Sequence, residues 1–322
     1  MSPKNLKVIW GEIKVRFDKC AELLSRDSVC IFLLHGVVEQ SNYQFRNFNR
    51  KHIIDKEFDY FVKSLESKGT ALTTDDLIAI KNGRPIPQGS FVITFDDGFK
   101  NNLTVAAPIL EKYQVPATFY LTSDFVTNNI MSWIDRIDWV IEQSRMTEKL
   151  EITLPWEKTP KKLVSHNSRL NFLKEVRSVV KSNREINQSW LADNIQHQLG
   201  FDLKKSSDDE LDAKLTWDDV RKLASSELFT IGGHTHTHPI MSFLNDSYLK
   251  FEISHCLDLL KKEGDIVTEH FSYPEGLAHC YNDNVIKCLK AFGIKCCPTA
   301  EDGLNKMNAD SDLFRLKRVF VD

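Results

Sequence analysis

Residues 91–126 read FVITFDDGFKNNLTVAAPILEKYQVPATFYLTSDFV. Within this stretch, the apolar runs Phe91–Phe95 and Ala117–Thr122 flank a segment, 101–113, whose apolar residues recur with helical spacing. Because β-branched and aromatic residues dominate both runs, the pattern predicts a strand, a helix and a second strand in succession. A unit of this kind is typical of a parallel sheet that is covered by helices.

The same alternation continues on both sides of this unit. Seven short apolar runs are predicted to be strands, namely Cys30–Leu34, Phe91–Phe95, Ala117–Thr122, Phe229–Gly233, His270–Pro274, Ile294–Pro298 and Leu316–Val321. Helical patterns lie between most of them, over 56–68, 101–113, 217–225, 246–262 and 282–292. We therefore predict an α/β fold with a mainly parallel sheet, and the pattern alone allows either an open sheet or a barrel.

The stretch from about residue 128 to residue 214 interrupts this alternation. It contains no convincing strand, and its apolar residues recur with helical period over 133–144, 168–182 and 189–199. We predict a helical insertion after the third strand, which is either a structural subdomain or a lid over the substrate. Residues 1–29 are assigned to an N-terminal extension and residues 30–322 to the main domain.

The composition excludes several classes of protein. Lys plus Arg number 42 against 45 for Asp plus Glu in 322 residues, so the chain lacks the basic surplus of a nucleic-acid binder. No apolar run reaches the roughly 18 residues of a membrane span. Residues 1–10 lack the apolar core of a secretory signal, so a cytoplasmic location is expected. Seven cysteines without a CxxC pair predict reduced thiols. The oligomeric state is left open.

Two strand ends carry residues that suit metal chemistry. Asp96 and Asp97 end one strand, and residues 232–239 (GGHTHTHP) follow another with three of the ten histidines. Asp-Gly alone commonly makes only a turn. Two imidazoles and one carboxylate, however, suit zinc or another borderline divalent ion and leave positions open for water. The spacing allows two pairs of ligands, His234 with His238 or His234 with His236.

Both segments resemble motifs of the polysaccharide deacetylase family, the NodB-homology or carbohydrate esterase 4 group. Residues 91–126 resemble the T-F-D-D-G turn and the P-A-T-F-F strand of its first motif block, and residues 231–242 resemble its H-[ST]-x-x-H-P pattern. The resemblance covers about residue 30 to the C-terminus, without most of the insertion. It implies a distorted (β/α)7 barrel, which agrees with the seven predicted strands.

The resemblance also implies roles for individual residues. Asp97, His234 and His238 correspond to the ligands of a divalent metal, for which Zn²⁺ is the expected ion, and His236 falls on a variable position. Asp96 corresponds to the general base, which takes a proton from the metal-activated water as that water attacks an amide carbonyl.

The third motif departs from the common pattern of the family. Residues 271–276 (FSYPEG) resemble the F-x-Y-P-x-G form of members that act on exopolysaccharides and surface glycans, which implies that the backbone N–H of Glu275 stabilises the oxyanion. Ser272 replaces the arginine that would orient the base. Arg318, in a segment that resembles a late P-R-[IV] motif, is expected to restore that contact, and otherwise it is a solvated arginine.

The L-x-x-H-D motif, which supplies the general acid in many family members, is absent. His35 resembles a histidine of the Y-H-x-[VI] opening of the same subgroup and lies where a barrel carries its active site. We expect an active-site role for His35, with the general acid as one version of it and a structural histidine as the alternative. His279, His236 and water are further candidates for the acid.

Trp133 and Trp139 either stack on a sugar ring or attach the insertion to the core. These assignments together predict a metal-dependent hydrolase that removes an acyl group, with N-acetyl expected, from a sugar or glycan precursor. One alternative is a deformylase or another amide hydrolase with a small, non-polymeric substrate. A second is an inactive carbohydrate-binding protein on the same fold, against which the retained aspartates and histidines argue.

Overall fold

The computed structural model describes residues 15–24, 27–39 and 43–321. The strands are β1 (Cys30–Leu34), β2 (Gly36–Val38), β3 (His52–Ile54), β4 (Thr70–Ala71), β5 (Ser90–Phe95), β6 (Ala117–Leu121), β7 (Leu150–Ile152), β8 (Lys161–Leu163), β9 (Phe229–Gly233) and β10 (Val319–Phe320). The α-helices that follow β1 are α1 (Asp55–Glu66), α2 (Thr74–Lys81), α3 (Ala107–Lys112), α4 (Ser123–Asn128), α5 (Trp133–Gln143), α6 (His166–Ser182), α7 (Gln188–Gln198), α8 (Trp217–Ala224), α9 (Asp246–Gly264) and α10 (Asp283–Ala291). A π-helical turn, Asn102–Ala106, leads into α3.

A parallel sheet forms the centre of the fold. Its order is β10-β1-β5-β6-β9, and β4 also pairs with β5. The register of β1 and β5 places Leu34 opposite Phe95 at their carboxyl ends. The register of β6 and β9 places Leu121 opposite Gly233. The loops that follow these strands therefore emerge at one edge of the sheet, which is where α/β folds bind their ligands.

The sheet differs from the prediction between β9 and β10. His270–Pro274 and Ile294–Pro298 are not regular strands, and they contribute only single bridges to β9 and to each other. Pro274 and Pro298 lack the N–H group that a continuing ladder needs, so the pairing ends there. The N–H of Thr299 continues the backbone hydrogen bonds toward the chain that leads into β10. The regular backbone pairing of the sheet is therefore interrupted between β9 and β10, as expected for a distorted barrel.

Several short elements differ from the sequence pattern. β2 pairs with β3 in a small parallel sheet. β7 and β8 form an antiparallel hairpin, so the expectation of no strand within residues 128–214 is wrong. Each of these strands has three residues, which are too few to show an alternation. The last predicted strand, Leu316–Val321, shortens to β10.

The described residues form three hydrophobic clusters: a larger one, a smaller one and a minor one that includes residues of β1 and α2. The larger one packs the sheet against its covering helices and includes Phe58, Phe95 and Phe119. The smaller one belongs largely to α5, α6, α7 and the hairpin, and it includes Phe172 and Ile195. The segment 128–214 therefore packs around a core of its own rather than around the sheet.

The chain before β1 also contacts the larger core. Residues 15–22 are helical, and the ring of Phe17 lies 5.4 Å from that of Phe61. Residues 1–14, 25 and 26 of the predicted N-terminal extension lie outside the described residues. In the described parts of the chain, no helix has both the length and the apolar character needed to cross a bilayer. The adjacent Cys296 and Cys297 are buried thiols, as predicted.

Candidate active site

The turn after β5 places two carboxylates at the edge of the sheet. Asp96 and Asp97 follow the strand directly, and Gly98 completes the turn with φ of +79°. A side chain at position 98 would be strained by that φ, and its Cβ would lie 3.1 Å from the side chain of Leu121. The D-D-G sequence thus supplies the sharp turn together with two carboxylates at its start.

Two asparagines hold neighbouring loops against this turn. The side-chain amide of Asn102 donates to the carbonyl of His35 at 2.9 Å. The amide of Asn101 donates to the carbonyl of Glu210 at 2.9 Å, and its oxygen accepts from the N–H of Val37 at 3.3 Å. These contacts join the loops after β1 and β5 to the end of the insertion.

Asp97, His234 and His238 form a cluster that fits a metal ion. Oδ1 of Asp97 lies 3.3 Å from Nε2 of His238 and 3.7 Å from Nε2 of His234, and the three ligand atoms lie within 4.8 Å of one another. This Oδ1 is buried and makes no hydrogen bond of normal geometry with any residue that the structure describes. An unpaired buried acceptor is costly, so the donor set suits a divalent cation at this point.

Ser272 orients the first of the two histidines. Nδ1 of His234 lies 2.9 Å from the carbonyl oxygen of Ser272 and 2.6 Å from its hydroxyl. Because Nδ1–H donates to the carbonyl, Nε2 keeps its lone pair and faces Asp97. The Ser272 hydroxyl also lies 3.2 Å from Oδ1 of Asp96. The serine that replaces the expected arginine therefore contacts both halves of the site.

The surrounding charges influence the ionisation of the cluster. Burial lowers the pKa of His234, which favours the neutral ring that a metal binds. Burial opposes ionisation of Asp97, but Lys51 and His238 outweigh it and hold its pKa well below the ordinary value. Burial also opposes protonation of His238, but the neighbouring carboxylate of Asp97 outweighs it and raises the pKa of this ring. A cation at Asp97 would thus compete with a proton on His238.

Arg318 forms a salt bridge with the carboxylate of Asp96. Its Nη1 and Nη2 lie 2.9 and 2.8 Å from the two oxygens of Asp96, which is a bidentate contact. Its Nε donates to the carbonyl of Thr299 at 2.5 Å. The side chain is fully buried, so the alternative of a solvated arginine is wrong. Burial opposes ionisation of Asp96, but Arg318 and His234 outweigh it and hold the pKa of Asp96 below its ordinary value.

Lys51 belongs to the site, although no sequence pattern indicated it. Its Nζ lies 3.0 Å from Oδ2 of Asp97 and 3.2 Å from Oδ1 of Asp135, in the first turn of α5. Burial opposes protonation of Lys51, but Asp135 and Asp97 outweigh it and raise its pKa. One oxygen of Asp97 is therefore held by an ammonium group, while the other faces the two histidines.

His35 lines the cavity beside the aspartates. Its Nδ1 is buried and has no hydrogen-bond partner in the described part of the chain. Burial lowers the pKa of His35 to about 4, so its ring is neutral near pH 7. A neutral imidazole has no surplus proton to give, which argues against His35 as the resident general acid.

The insertion forms the opposite wall of the cavity. Trp133 of α5 and Arg177 and Lys181 of α6 line it together with the strand-end loops, and its volume is about 250 Å³. Arg177 forms an ion pair with Asp138. Lys181 forms an ion pair with Glu275. The cavity is therefore bounded by two parts of the molecule that have separate cores.

Glu275 sits in a tight turn at the edge of this cavity. Its φ is +61°, and that of Gly276 is +57°, while the N–H of Gly276 donates to the carbonyl of Pro274 at 2.7 Å. Burial opposes ionisation of Glu275, but Lys181 and His238 outweigh it and lower its pKa. The carboxylate is thus charged and directed to the insertion.

His236 lies away from the metal cluster. Its Nδ1 is 2.9 Å from the hydroxyl of Ser123, and its ring packs against His255 with centroids 4.3 Å apart. The alternative ligand pair, His234 with His236, is therefore wrong. The strand has ended before this point, so the one-face alternation that the alternative requires does not apply.

Two other candidates also have contacts outside the site. Nε2–H of His279 donates to the main-chain carbonyl of Lys181 at 2.9 Å. Trp139 packs against Phe201, with ring centroids 5.8 Å apart. Of the two tryptophans that could stack on a sugar, Trp133 lines the cavity and Trp139 does not.

Comparison with known sequences agrees with this geometry. The sequence model described as polysaccharide deacetylase matches residues 83–297, which include both motif loops. The chain belongs to the polysaccharide deacetylase family. The poly-β-1,6-N-acetyl-D-glucosamine N-deacetylase of Staphylococcus epidermidis is 25% identical over 292 residues, which are 90% of this chain and 72% of that relative.

Solved structures of deacetylases have a similar fold. IcaB from Ammonifex degensii has a TM-score of 0.57 at 16% identity, over 93% of this chain and 94% of that one. The Streptococcus pyogenes deacetylase PplD, in complex with acetate, has a TM-score of 0.56 at 16% identity, over 91% and 92%. A de-N-acetylase from Aggregatibacter actinomycetemcomitans has a TM-score of 0.56 at 17% identity, over 92% and 95%.

Family and fold confirm three predictions. The fold is the α/β architecture of the NodB-type (β/α) barrels. The chain is an enzyme, a hydrolase that removes acyl groups from a sugar or glycan. The family is metal-dependent, and Asp97, His234 and His238 form a cluster that fits a metal.

Proposed function

We propose that this deacetylase removes the N-acetyl group from glucosamine residues of a glycan, with zinc as its resident ion. The substrate named for the S. epidermidis relative, which aligns with 90% of this chain, supports the sugar. Two imidazoles and one carboxylate support zinc. The proposal rests mainly on one arrangement of side chains. Oδ1 of Asp97, which has no hydrogen-bond partner among the described residues, faces two histidines. Asp96 lies beside them and forms a salt bridge with Arg318.

The residues of this site divide the chemistry between them. A divalent cation held by Asp97, His234 and His238 would lower the pKa of a bound water toward neutrality. Asp96 is ionised and has its two oxygens fixed, so it accepts a proton from the attacking water. The water oxygen forms a bond to the acetamide carbon, and the C–N bond then breaks to give acetic acid, which ionises to acetate, and the free amine.

The reaction also requires stabilisation of the oxyanion and protonation of the departing amine. The carbonyl oxygen gains negative charge during the attack, and we assign its stabilisation to the N–H of Glu275 in its tight turn. The departing amine needs one proton. Because His35 is neutral near pH 7, we assign this proton to Asp96, which received it from the water, so that the protons balance.

Replacement of Asp96 by Asn tests the division of roles. The parent protein, loaded with zinc, should release acetate from N-acetylglucosamine oligomers. Asp96→Asn should lower that rate by about 10²–10⁴-fold, the usual contribution of a general base, and should keep the parent's zinc content by mass spectrometry. Asp97→Asn is the matched control and should lose zinc and activity together. An Asp96→Asn protein that keeps the parent rate would contradict the proposal.

A small substrate is the second candidate, since the cavity is small. Its volume of about 250 Å³ lies below the roughly 300–1,000 Å³ of most small-molecule sites. A deformylase or another amide hydrolase with a compact substrate would fit such a space. Rates with N-formyl- and N-acetylglucosamine should differ in favour of the acetyl compound, and a preference for the formyl compound would favour this second function.

A further inference from the structure

The last turn of α6 is attached to the loop that carries Glu275. Lys181, the penultimate residue of this helix, contacts the Glu275 carboxylate through its ammonium group. Its own main-chain carbonyl accepts a hydrogen bond from His279 at 2.9 Å. The side chain and the main chain of Lys181 therefore join the insertion to two points of the segment 275–279.

This attachment lies at the catalytic cavity. Lys181 and Glu275 both line it, as does Arg177, which is one helical turn before Lys181 on the same face of α6. The side chains of Lys181 and Glu275 are 31% and 13% exposed, so the pair is shielded on the carboxylate side and open to water on the other. It therefore lies at the rim of the cavity.

On the side of Asn49 and Lys51, the cavity has little room to continue. A second cavity adjoins it across Asn49 and Lys51, which line both. That second cavity measures about 20 Å³, which is space for a single water and not for a sugar. A glycan chain bound through an internal residue needs an open path on both sides of the reacting unit.

We propose that the ion pair of Lys181 and Glu275 closes the insertion side of the cavity, so that the enzyme takes a terminal N-acetylated sugar or a short glycan rather than an internal residue of a long chain. This inference rests on the proposed deacetylation. It makes Lys181 a specificity-determining residue, which acts through the shape of the cavity and not through the reacting atoms.

The position of deacetylation along an oligomer tests this inference. The zinc-loaded protein is incubated with N-acetylglucosamine oligomers of one to six units, and tandem mass spectrometry locates each free amine. The parent should deacetylate terminal units, with a kcat/KM that stops rising after the shortest oligomers. Lys181→Ala should raise the ratio of internal to terminal products about fivefold, as expected for loss of a partly exposed ion pair.

Two further variants separate closure from general damage. Lys181→Arg keeps a cation that can reach Glu275 and should restore the parent's product pattern. Lys174→Ala removes an exposed lysine of the same helix, for which the described residues show no ion pair, and should also leave the pattern unchanged. Internal products from the parent itself, or an unchanged pattern in Lys181→Ala, would overturn the inference.

Failure of the inference differs from failure of the proposed function. If the parent releases acetate from internal units, the deacetylase function stands and the closed cavity is wrong. If the zinc-loaded parent releases no acetate from any oligomer, the proposed function itself fails. An equal fall of kcat/KM for all lengths in Lys181→Ala would make Lys181 a direct substrate contact and would likewise overturn the closure.

Discussion

The two walls of the catalytic cavity are built by different means. On the barrel side, consecutive residues at strand ends supply the functional groups, and backbone pairing fixes where they lie, as for Asp96 and Asp97 after β5. On the insertion side, Arg177 and Lys181 project from a helix and are fixed by ion pairs to distant carboxylates. One wall is therefore set by the sheet, while the other depends on side-chain contacts.

The two walls also differ in how firmly their charges are held. The Arg318–Asp96 pair is almost fully buried, and breaking a buried pair by removal of one partner typically costs about 3–5 kcal/mol. The Lys181–Glu275 pair is partly exposed, and exposed pairs are usually worth about 1 kcal/mol or less. We expect changes in the barrel wall to slow the reaction with every substrate and changes in the insertion wall to alter which substrate is used.

Removal of a barrel-side histidine should have the largest effect. His238→Ala takes one of three ligand atoms from the cluster, so zinc content and acetate release should fall together, with activity reduced by about 10³-fold or more, as for loss of a metal's contribution. Zinc content by mass spectrometry and kcat/KM check the prediction. The matched control is His236→Ala, whose ring packs against His255 outside the cluster and which should keep both.

Replacement of Arg318 by Lys should have the next largest effect. Lysine keeps the charge but cannot reproduce the bidentate contact with Asp96. We expect kcat/KM to fall by about 10–100-fold, the range found when a supporting partner of a site residue is lost, with zinc retained. Zinc loss in this variant would show that Arg318 supports the metal cluster rather than the base.

The same variant should shift the pH dependence. In the parent, Arg318 and His234 outweigh burial and hold the pKa of Asp96 low, so the proposed base stays ionised as the pH falls. A weaker partner leaves burial less opposed, and the pKa of Asp96 and the acid limb of kcat/KM should therefore move to higher pH. The stabilisation from the pair is present above the unfolded-state pKa of about 4 and is lost as pH falls through the lower folded-state value. An unmoved acid limb would contradict this.

Truncation of a large buried side chain in the smaller core should have the smallest effect on the reaction rate. Phe172→Ala removes a buried ring of α6 and should lower the stability of the insertion by about 3–5 kcal/mol. Acetate release from the N-acetylglucosamine monomer should change by less than about threefold, since the strand-end groups belong to the other core. Hydrogen exchange should show faster opening in α5, α6 and α7 and unchanged protection in β5 and β6. Loss of protection in the sheet would mean that the two cores unfold together.

The barrel side was largely predictable from the sequence because its signals are local. A turn such as Asp97-Gly98 needs particular residue types at consecutive positions, and the strand before it is a continuous apolar run. The capping box of Thr216 and Asp219 at the start of α8 is likewise formed by residues that are close together in the sequence. Patterns of this kind survive in the sequence whatever the rest of the chain does.

The insertion side was not predictable in the same way. Arg177 and Lys181 have no local pattern, and neither does Lys51 of the main domain, because their places in the cavity follow from packing between segments that are far apart in the chain. The segments around residues 270 and 296 were predicted to be strands but form only single bridges, for a related reason. Apolar runs show which residues are buried, but regular pairing also requires N–H groups that the two prolines lack.

Asp97 lowers the folding stability of the protein, and the use of its carboxylate in the site explains why the residue is an aspartate. Its φ of +78° belongs to a conformation that glycine adopts freely and other residues avoid, with a typical penalty of about 1–3 kcal/mol. Its buried Oδ1 adds a second unfavourable contribution. Both contributions reduce the free energy of unfolding. An ion that binds only the folded protein should offset this reduction. A chelator should then lower the melting temperature of the enzyme, which makes thermal denaturation a simple measure of metal loading.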